Sequence, residues 1–431
     1  MLLSLPSQGK SYFIFSFYLY FLTAIFAGVS SELLKTVHLK PHEAKRLCSG
    51  HPWVYPSEID SIDEGIADGD CVQVSDSRNR LVGSGLYNSK SKIRVRLLSL
   101  RHSISPDLDF FTDRIERALK LRQRSMPGAT SFRVVNAESD FLSGLIIDKY
   151  NDIIVLQTTS LGMDQRKPII VEALQKILNP RVILEKNDSP SRSFEGLDPV
   201  HSTLLGVAPE GTQSIALNNL TFQIDFSSGH KTACYLDQQV NYQLVSQYAP
   251  GARVLDCFCF LGGFALHAAR AGAREVLGID QSLNAVKTAE ISAQLNHLSN
   301  CSFINENVFD WLIQQTKKTE IPENSLFDLI ILDPPSFTRN RHSVEAALRG
   351  YKEIHLRALK LLRPGGILAT FCCSHHVSSA LFQEIILQAA FDAHKILRRI
   401  SSYTQSPDHP VIPVIPETEY LKGFAFEALN C

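Results

Sequence analysis

The segment Arg253-Val-Leu-Asp-Cys-Phe-Cys-Phe-Leu-Gly-Gly-Phe264 runs from an apolar strand through a glycine turn into a helix. Gly262 and Gly263 permit the tight turn and a close backbone approach before that helix begins. Working outward, strands are expected at Arg253–Cys257, Glu275–Ile279, Ser302–Ile304, Asp328–Leu332 and Ile367–Cys372. Helices are expected at Phe264–Ala271, Asn284–Asn296, Phe309–Gln315, Ser343–Leu362 and Ser378–Phe391. Regular alternation of this kind predicts a parallel sheet with helices on both faces. A ligand then sits outside the carboxyl ends of the strands.

The second strand ends in Gly278-Ile-Asp280, and an acid there can bind both hydroxyls of a ribose. Nicotinamide dinucleotides are held in the same way, so the loop has to discriminate. It reads D-x-F-x-x-x-G-G-F, with Asp256 where a pyrophosphate would sit and Phe258 beside it. An acid there suits the cationic end of S-adenosylmethionine and repels phosphate. The bland readings are an ordinary turn for Gly262 and Gly263 and a helix cap for Asp280. The order of the three features favours cofactor binding over a nicotinamide dehydrogenase. Asn307, after the third strand, is the candidate for adenine contact, with helix capping as its plain alternative.

The fourth strand ends Leu332-Asp-Pro-Pro-Ser-Phe337, where two prolines stiffen the backbone after Asp333. Asp-Pro-Pro followed directly by an aromatic residue usually marks transfer to an exocyclic nitrogen; here Ser336 intervenes. The fifth strand ends Thr370-Phe-Cys-Cys-Ser374. Cytosine C5 is a poor nucleophile, and thiolate addition at C6 activates it. Asp333 at the neighbouring strand tip is suited to hydrogen-bond N3 and the exocyclic amine. A buried cysteine in an apolar strand is more often a small hydrophobe. Strand alternation puts Cys372 and Cys373 on opposite faces, so only one can be the nucleophile.

Upstream, Val37 to about Ser103 reads as short strands and turns, a small β-rich module. Its basic residues Arg78, Arg80, Lys90, Lys92, Arg94, Arg96 and Arg101 have no acid among them, which favours phosphate contact over a solvated face. Asp107–Arg124 has helical periodicity. A mixed segment follows to about residue 200, with strands near Gly144–Ile147, Ile153–Gln157 and Val182 and a helix at Lys167–Leu178.

The 431 residues suggest two or three domains, and a hydrophobic fraction of 44% with 20% charged residues is that of an ordinary globular protein. A net charge of -1 argues neither for nor against nucleic acid. Nine cysteines without a C-x-x-C pair argue against a zinc site, so no metal is expected, and reduced thiols fit a cytoplasmic protein. Ser11–Ser31, behind Lys10, carries no charge. It has the length of a membrane span or signal core. The reading adopted is that translation starts downstream, with a membrane role only if the leader is real.

These segments together resemble the bacterial large-subunit ribosomal RNA cytosine-C5 methyltransferase I family. The resemblance runs from about Val37 to the C-terminus. It is carried by Arg133-Val-Val-Asn-Ala-Glu-Ser-Asp140, Gly144-Leu-Ile-Ile-Asp148, Gly229-His-Lys-Thr-Ala-Cys-Tyr-Leu-Asp-Gln238 and the loop from Asp256 to Phe264. Leu332-Asp-Pro-Pro-Ser-Phe337, Arg349-Gly-Tyr-Lys352, Thr370-Phe-Cys-Cys-Ser374, Asp408-His-Pro410 and Tyr420-Leu-Lys-Gly423 complete it.

It implies an apolar leader (1–34) outside the family pattern, a PUA-like RNA-binding barrel (35–104) and a central α/β linking domain (105–205). A Rossmann-like class I methyltransferase domain with a mostly parallel seven-stranded sheet follows (206–431). The resemblance puts the nucleophile at Cys373 rather than Cys372 and adds Tyr235 and Asp237 to the cofactor pocket. It also assigns the basic run to the PUA-like module and implies large-subunit ribosomal RNA as partner. The oligomeric state stays open, a homodimer among the options.

Ala233, Gln239 and Asn307 depart from the family's usual Gly, Arg and Asp. The alternatives are methylation of an exocyclic amine or ring nitrogen of RNA, and a non-catalytic RNA-binding assembly factor.

Overall fold

The computed structural model describes residues 34–227, 234–317, 321–338 and 343–430. Residues 1–33 of the apolar leader and the Gly229–Ala233 part of the family segment, Ala233 included, lie outside these. Among the described residues no helix is long and apolar enough to cross a membrane.

The first unit is a six-stranded sheet made of β1 (Thr36–Leu39), β2 (Trp53–Val54), β3 (Ile59–Ile62), β4 (Cys71–Ser75), β5 (Leu81–Tyr87) and β6 (Val95–Leu100), ordered β2-β6-β5-β4-β1-β3. Alternating apolar residues such as Val72, Val74, Val95 and Leu97 fill its core. Gly83 and Gly85 let β5 lie against β6, since a Cβ on either would meet the carbonyl oxygen of Ser99 or Arg96 at 2.2 Å.

The second unit holds β7 (Ser131–Asn136), β8 (Leu145–Tyr150), β9 (Ile153–Thr158), β10 (Val182–Asn187) and β11 (Val200–Leu205), in the order β11-β10-β9-β8-β7. The helices Leu108–Ser125 and Lys167–Leu178 contribute their apolar faces to its core. Asp107 caps the first of them by accepting from the Phe110 amide at 3.0 Å. A hairpin of β12 (Thr212–Leu217) and β13 (Leu220–Asp225) leads into the last unit.

That unit is a seven-stranded sheet of β14 (Arg253–Cys257), β15 (Glu275–Asp280), β16 (Cys301–Asn305), β17 (Phe327–Leu332), β18 (Leu362–Cys372), β19 (Lys395–Thr404) and β20 (Lys422–Asn430). The order is β16-β15-β14-β17-β18-β20-β19, with β20 antiparallel to the other six strands, which run parallel to one another. Two cores flank it, one on each face. That is why the run Leu329-Ile-Ile-Leu332 in β17 is apolar on both faces of the sheet. The expected layers stand: a small β unit precedes an α/β unit built on a mostly parallel seven-stranded sheet. The switch point lies at β14, where the chain order turns from β15 and β16 on one side to β17 and β18 on the other.

Candidate active site

The loop after β14 is held in an unusual backbone. Phe258 and Phe260 both take positive φ, 63° and 48°, and Gly262 follows at 79°. Bulky residues in that region cost about 1–3 kcal/mol each, so the surroundings must impose it. They do so through three hydrogen bonds. The Cys259 amide donates to the Ile279 carbonyl (3.0 Å), the Phe260 amide to Asp280 Oδ2 (2.9 Å) and the Gly262 amide to the Cys259 carbonyl (2.7 Å). Asp280 Oδ1 accepts from the Ser282 amide at 2.8 Å. Each Asp280 oxygen retains a second lone pair for a ribose hydroxyl.

Gly262 and Gly263 are required by packing as much as by the turn. A Cβ on Gly262 would meet the Phe303 ring at 3.1 Å, and one on Gly263 the Tyr242 ring at 2.4 Å.

A cavity of about 560 Å³ opens at these strand ends, within the size range of small-molecule sites. Tyr235, Asp237, Phe258, Gly263, Asp280, Asn307, Asp333 and Cys373 all line it. These eight expected residues come from six separated segments. Phe258, Phe309 and Phe337 form an aromatic cluster on its wall, with ring centroids 5.7–6.5 Å apart. Asn307 accepts from the Phe309 and Asp310 amides (2.9 and 3.4 Å), so its side-chain oxygen caps the helix Val308–Thr316 while the residue still faces the cavity.

Two expected residues are not in the lining. Gly262 turns behind it. Asp256 is fully buried, its Oδ2 accepting from the Ala265 amide at 2.9 Å. Burial pushes its carboxyl well above the usual range. The acids that line the cavity are Asp237, Asp280 and Asp333, and no Lys or Arg appears among the described lining residues. That donor set fits the sulfonium and amino group of S-adenosylmethionine and opposes a pyrophosphate.

At the far end of the cavity, β17 and β18 run side by side, with Leu332 opposite Thr370. Asp333 and Cys373 therefore leave adjacent strand tips. Gln238 Nε2 donates to Asp333 Oδ1 at 3.1 Å, a contact that sequence reasoning overlooked although Gln238 closes the Gly229–Gln238 segment. Burial, then Asp333 and Cys373, push the Tyr235 phenol up, so it stays protonated beside both.

Cys372 points the other way, as alternation requires. It is fully buried and donates to the Tyr351 hydroxyl at 3.4 Å. Ser374 is bonded to both Tyr351 (3.2 Å) and Ser336 (2.8 Å), tying the Cys373 loop to the Asp-Pro-Pro-Ser loop. Lys422 Nζ donates to the carbonyls of Ser374 (2.6 Å) and Val377 (2.7 Å).

The basic run of the first unit is not the uniform face that its lack of acids suggested. Arg78, Arg80, Lys90 and Lys92 are exposed. Arg80 pairs with Asp76 at 2.7 Å. Arg94 is half-buried and donates to the Asn88 carbonyl at 3.3 Å. Arg96 is turned inward, 2.9 Å from Glu195 and 3.6 Å from Glu138. The acids that neutralise Arg96 come from the second unit, more than forty residues along the chain in the nearer case.

Among the described residues no cluster of three or more His, Cys, Asp or Glu side chains is arranged to hold a metal.

Comparison with known proteins agrees with this layout. A profile of PUA-like domains matches residues 37–100, and one of S-adenosylmethionine-dependent methyltransferases matches residues 198–415. The ribosomal RNA large subunit methyltransferase I of Photobacterium profundum is 36% identical over 395 residues, covering 90% of this chain and 98% of that protein. Its counterpart from Shewanella denitrificans is 37% identical over 392 residues, covering 90% and 98%. A solved structure of a candidate SAM-dependent methyltransferase from Streptococcus mutans shares the fold, with a TM-score of 0.76 and 19% identity over 91% of this chain and 99% of that one. A further candidate methyltransferase, solved in complex with SAH, has a TM-score of 0.75 over the same shares at 19% identity.

Proposed function

The chain is an S-adenosylmethionine-dependent methyltransferase of the ribosomal RNA large subunit methyltransferase I family, and we propose that it methylates C5 of a cytosine in large-subunit ribosomal RNA through a Cys373 thiolate. The observation that carries this reading is the convergence of Cys373 and Asp333 on one cavity with the acids suited to the cofactor.

When bound, S-adenosylmethionine supplies an electrophilic methyl group. Asp237 and Asp333 would face its positive charge, Asp280 would hold the ribose, and Asn307 beside the Phe258 and Phe309 rings would meet the adenine. The target cytosine enters flipped out of its stack. Cys373 Sγ bonds to C6, which makes C5 enamine-like and able to take the methyl group. Asp333, oriented by Gln238, would accept from the exocyclic amine with one oxygen and, carrying a proton on the other, donate it to N3 as negative charge accumulates on the ring. Transfer of the C5 proton to water, with the S–C6 pair returning to Sγ, restores the aromatic ring and frees the Cys373 thiolate.

An exocyclic-amine reaction would need Asp333 but not Cys373, and a thiol in the cavity lining favours C5. The test is incubation of residues 35–431 with labelled S-adenosylmethionine and unmodified large-subunit ribosomal RNA, followed by nucleoside analysis. 5-Methylcytidine formed by the parent and abolished in Cys373→Ala is the expected result. Label in another nucleoside, or an unaffected Cys373→Ala, overturns the cytosine-C5 mechanism.

A further inference from the structure

The turn Pro190–Glu195 joins the second unit to the first, and its two anchoring side chains are buried. Arg192, 2% exposed, donates to the Asp198 carbonyl (3.0 Å), Asp164 (2.9 Å) and Thr158 Oγ1 (3.1 Å). Glu195, 3% exposed, accepts from Asn88 (2.9 Å), Arg96 (2.9 Å), Ser91 and the Leu161 amide (3.3 Å). Gly196 closes the turn at φ 76°. Between these anchors Phe194 projects outward with 60% of its surface exposed.

A single exposed apolar residue needs no explanation by itself. This one sits beside cations from the other unit. Lys92 Nζ lies 5.3 Å from the Phe194 ring centroid. The Lys90 side chain runs past Gly196, its Cδ 2.9 Å from where a Cβ would stand. Both lysines are exposed. Glu195 fixes the arrangement, because its partners Asn88, Ser91 and Arg96 flank and follow these lysines in sequence.

We propose that Phe194, with Lys90 and Lys92, is a docking point for an unpaired nucleotide of the RNA substrate: the base stacks on the ring and the lysines meet the adjoining phosphates. This rests on the RNA reading above. An aromatic face accepts any base, and cations track the backbone, so the contact adds affinity with little sequence preference. A rigid mount matters here because a stacking ring that must be ordered on binding loses part of its gain. The location also gives the seam between the two units a role in substrate capture as well as in folding.

The test is equilibrium binding of residues 35–431 to unmodified large-subunit ribosomal RNA, with S-adenosylmethionine affinity and melting temperature measured on the same preparations. Phe194→Ala is expected to raise the RNA Kd by about 5- to 100-fold, with cofactor affinity and melting temperature unchanged. Phe194→Trp is expected to restore binding, and Lys92→Ala to flatten the logarithmic salt dependence by about 0.7. An RNA Kd for Phe194→Ala equal to that of the parent overturns the inference and leaves the RNA reading intact. A parallel loss of cofactor affinity or stability also overturns it, since Phe194 would then be a strut. No RNA binding by the parent chain overturns both.

Discussion

Replacing Arg122 by methionine is expected to lower the melting temperature and to loosen the cofactor pocket from a distance. The Arg122 side chain is fully buried and forms a two-pronged pair with Asp140 at 2.5 and 2.8 Å. It also donates to the carbonyls of Arg133 (3.0 Å) and Asp408 (2.8 Å). Methionine matches the stem but strands the Asp140 carboxylate with the Asn136 amide as its remaining named donor (2.6 Å). Breaking a buried pair from one side costs about 3–5 kcal/mol. For a cooperative unit on the order of 300 residues, unfolding entropy is about 0.6–0.7 kcal/mol/K, so the melting temperature falls by about 4–8 °C.

The functional effect follows from the neighbours of Asp408. Its Oδ2 accepts from the Arg133 amide (2.8 Å) and Gln239 (3.1 Å). Two residues earlier, the Ser406 amide donates to the Asp237 carbonyl (2.8 Å), and Ser406 Oγ accepts from the Val240 amide (3.0 Å). Asp237 lines the cavity, so the S-adenosylmethionine Kd is expected to rise as well. Differential scanning fluorimetry and calorimetric titration measure both. Asp140→Asn added to Arg122→Met is expected to recover part of the stability, because the stranded charge is then gone. A fall smaller than about 1 °C, or a double variant as unstable as the sum of the singles, would refute the reasoning.

Two further outcomes follow from the titration of buried groups. His267 and His355 are pushed down to about 4 by burial, partly offset by hydrogen bonds to the Gly263 and Tyr351 carbonyls, so below their unfolded value of 6.5 the unfolded chain binds the protons first. Stability is therefore complete above about pH 6.5 and falls toward pH 4, by up to about 1.4 kcal/mol per pH unit for each histidine; thermal melts across that window check it, and His355→Gln is expected to flatten the slope. Burial lowers the Lys422 ammonium below its usual value while the Cys372 and Cys373 charges pull it back, so the cation in turn favours a Cys373 thiolate. Lys422→Met is expected to move the pH profile of Cys373 alkylation upward, read by peptide mass spectrometry, and Lys422→Arg to keep it low; an unmoved midpoint in Lys422→Met would defeat that coupling.

Much of the fold was legible because its signals are local. The alternation of apolar strands with amphipathic helices between Arg253 and Phe391 matches the observed elements, with ends shifted by a few residues at most except where β18 reaches back to Leu362. The strand tips then located Asp280, Asp333 and Cys373 on one edge, as any parallel sheet must. β19 was not legible from its residues: Lys-Ile-Leu-Arg-Arg-Ile-Ser-Ser-Tyr-Thr is mostly exposed, because it is the edge strand of the sheet. The hairpin β12–β13 escaped notice for a similar reason, its first strand being half in water.

What the amino-acid sequence determined by itself was therefore periodicity and punctuation: which segments are strands, where glycines and prolines turn the chain, and which acid or thiol ends each strand. Those are set by neighbours within a few residues. What only the tertiary structure decided was the electrical state and direction of the side chains. Asp256 belongs to the cofactor loop in sequence, yet its carboxyl is buried behind the cavity lining, accepting from the Ala265 amide, and burial raises its pKa. Arg96 belongs to a basic run in sequence, yet Glu138 and Glu195 turn it into an interior tie. Charge acts through space and through the dielectric around it, and neither is written along the chain.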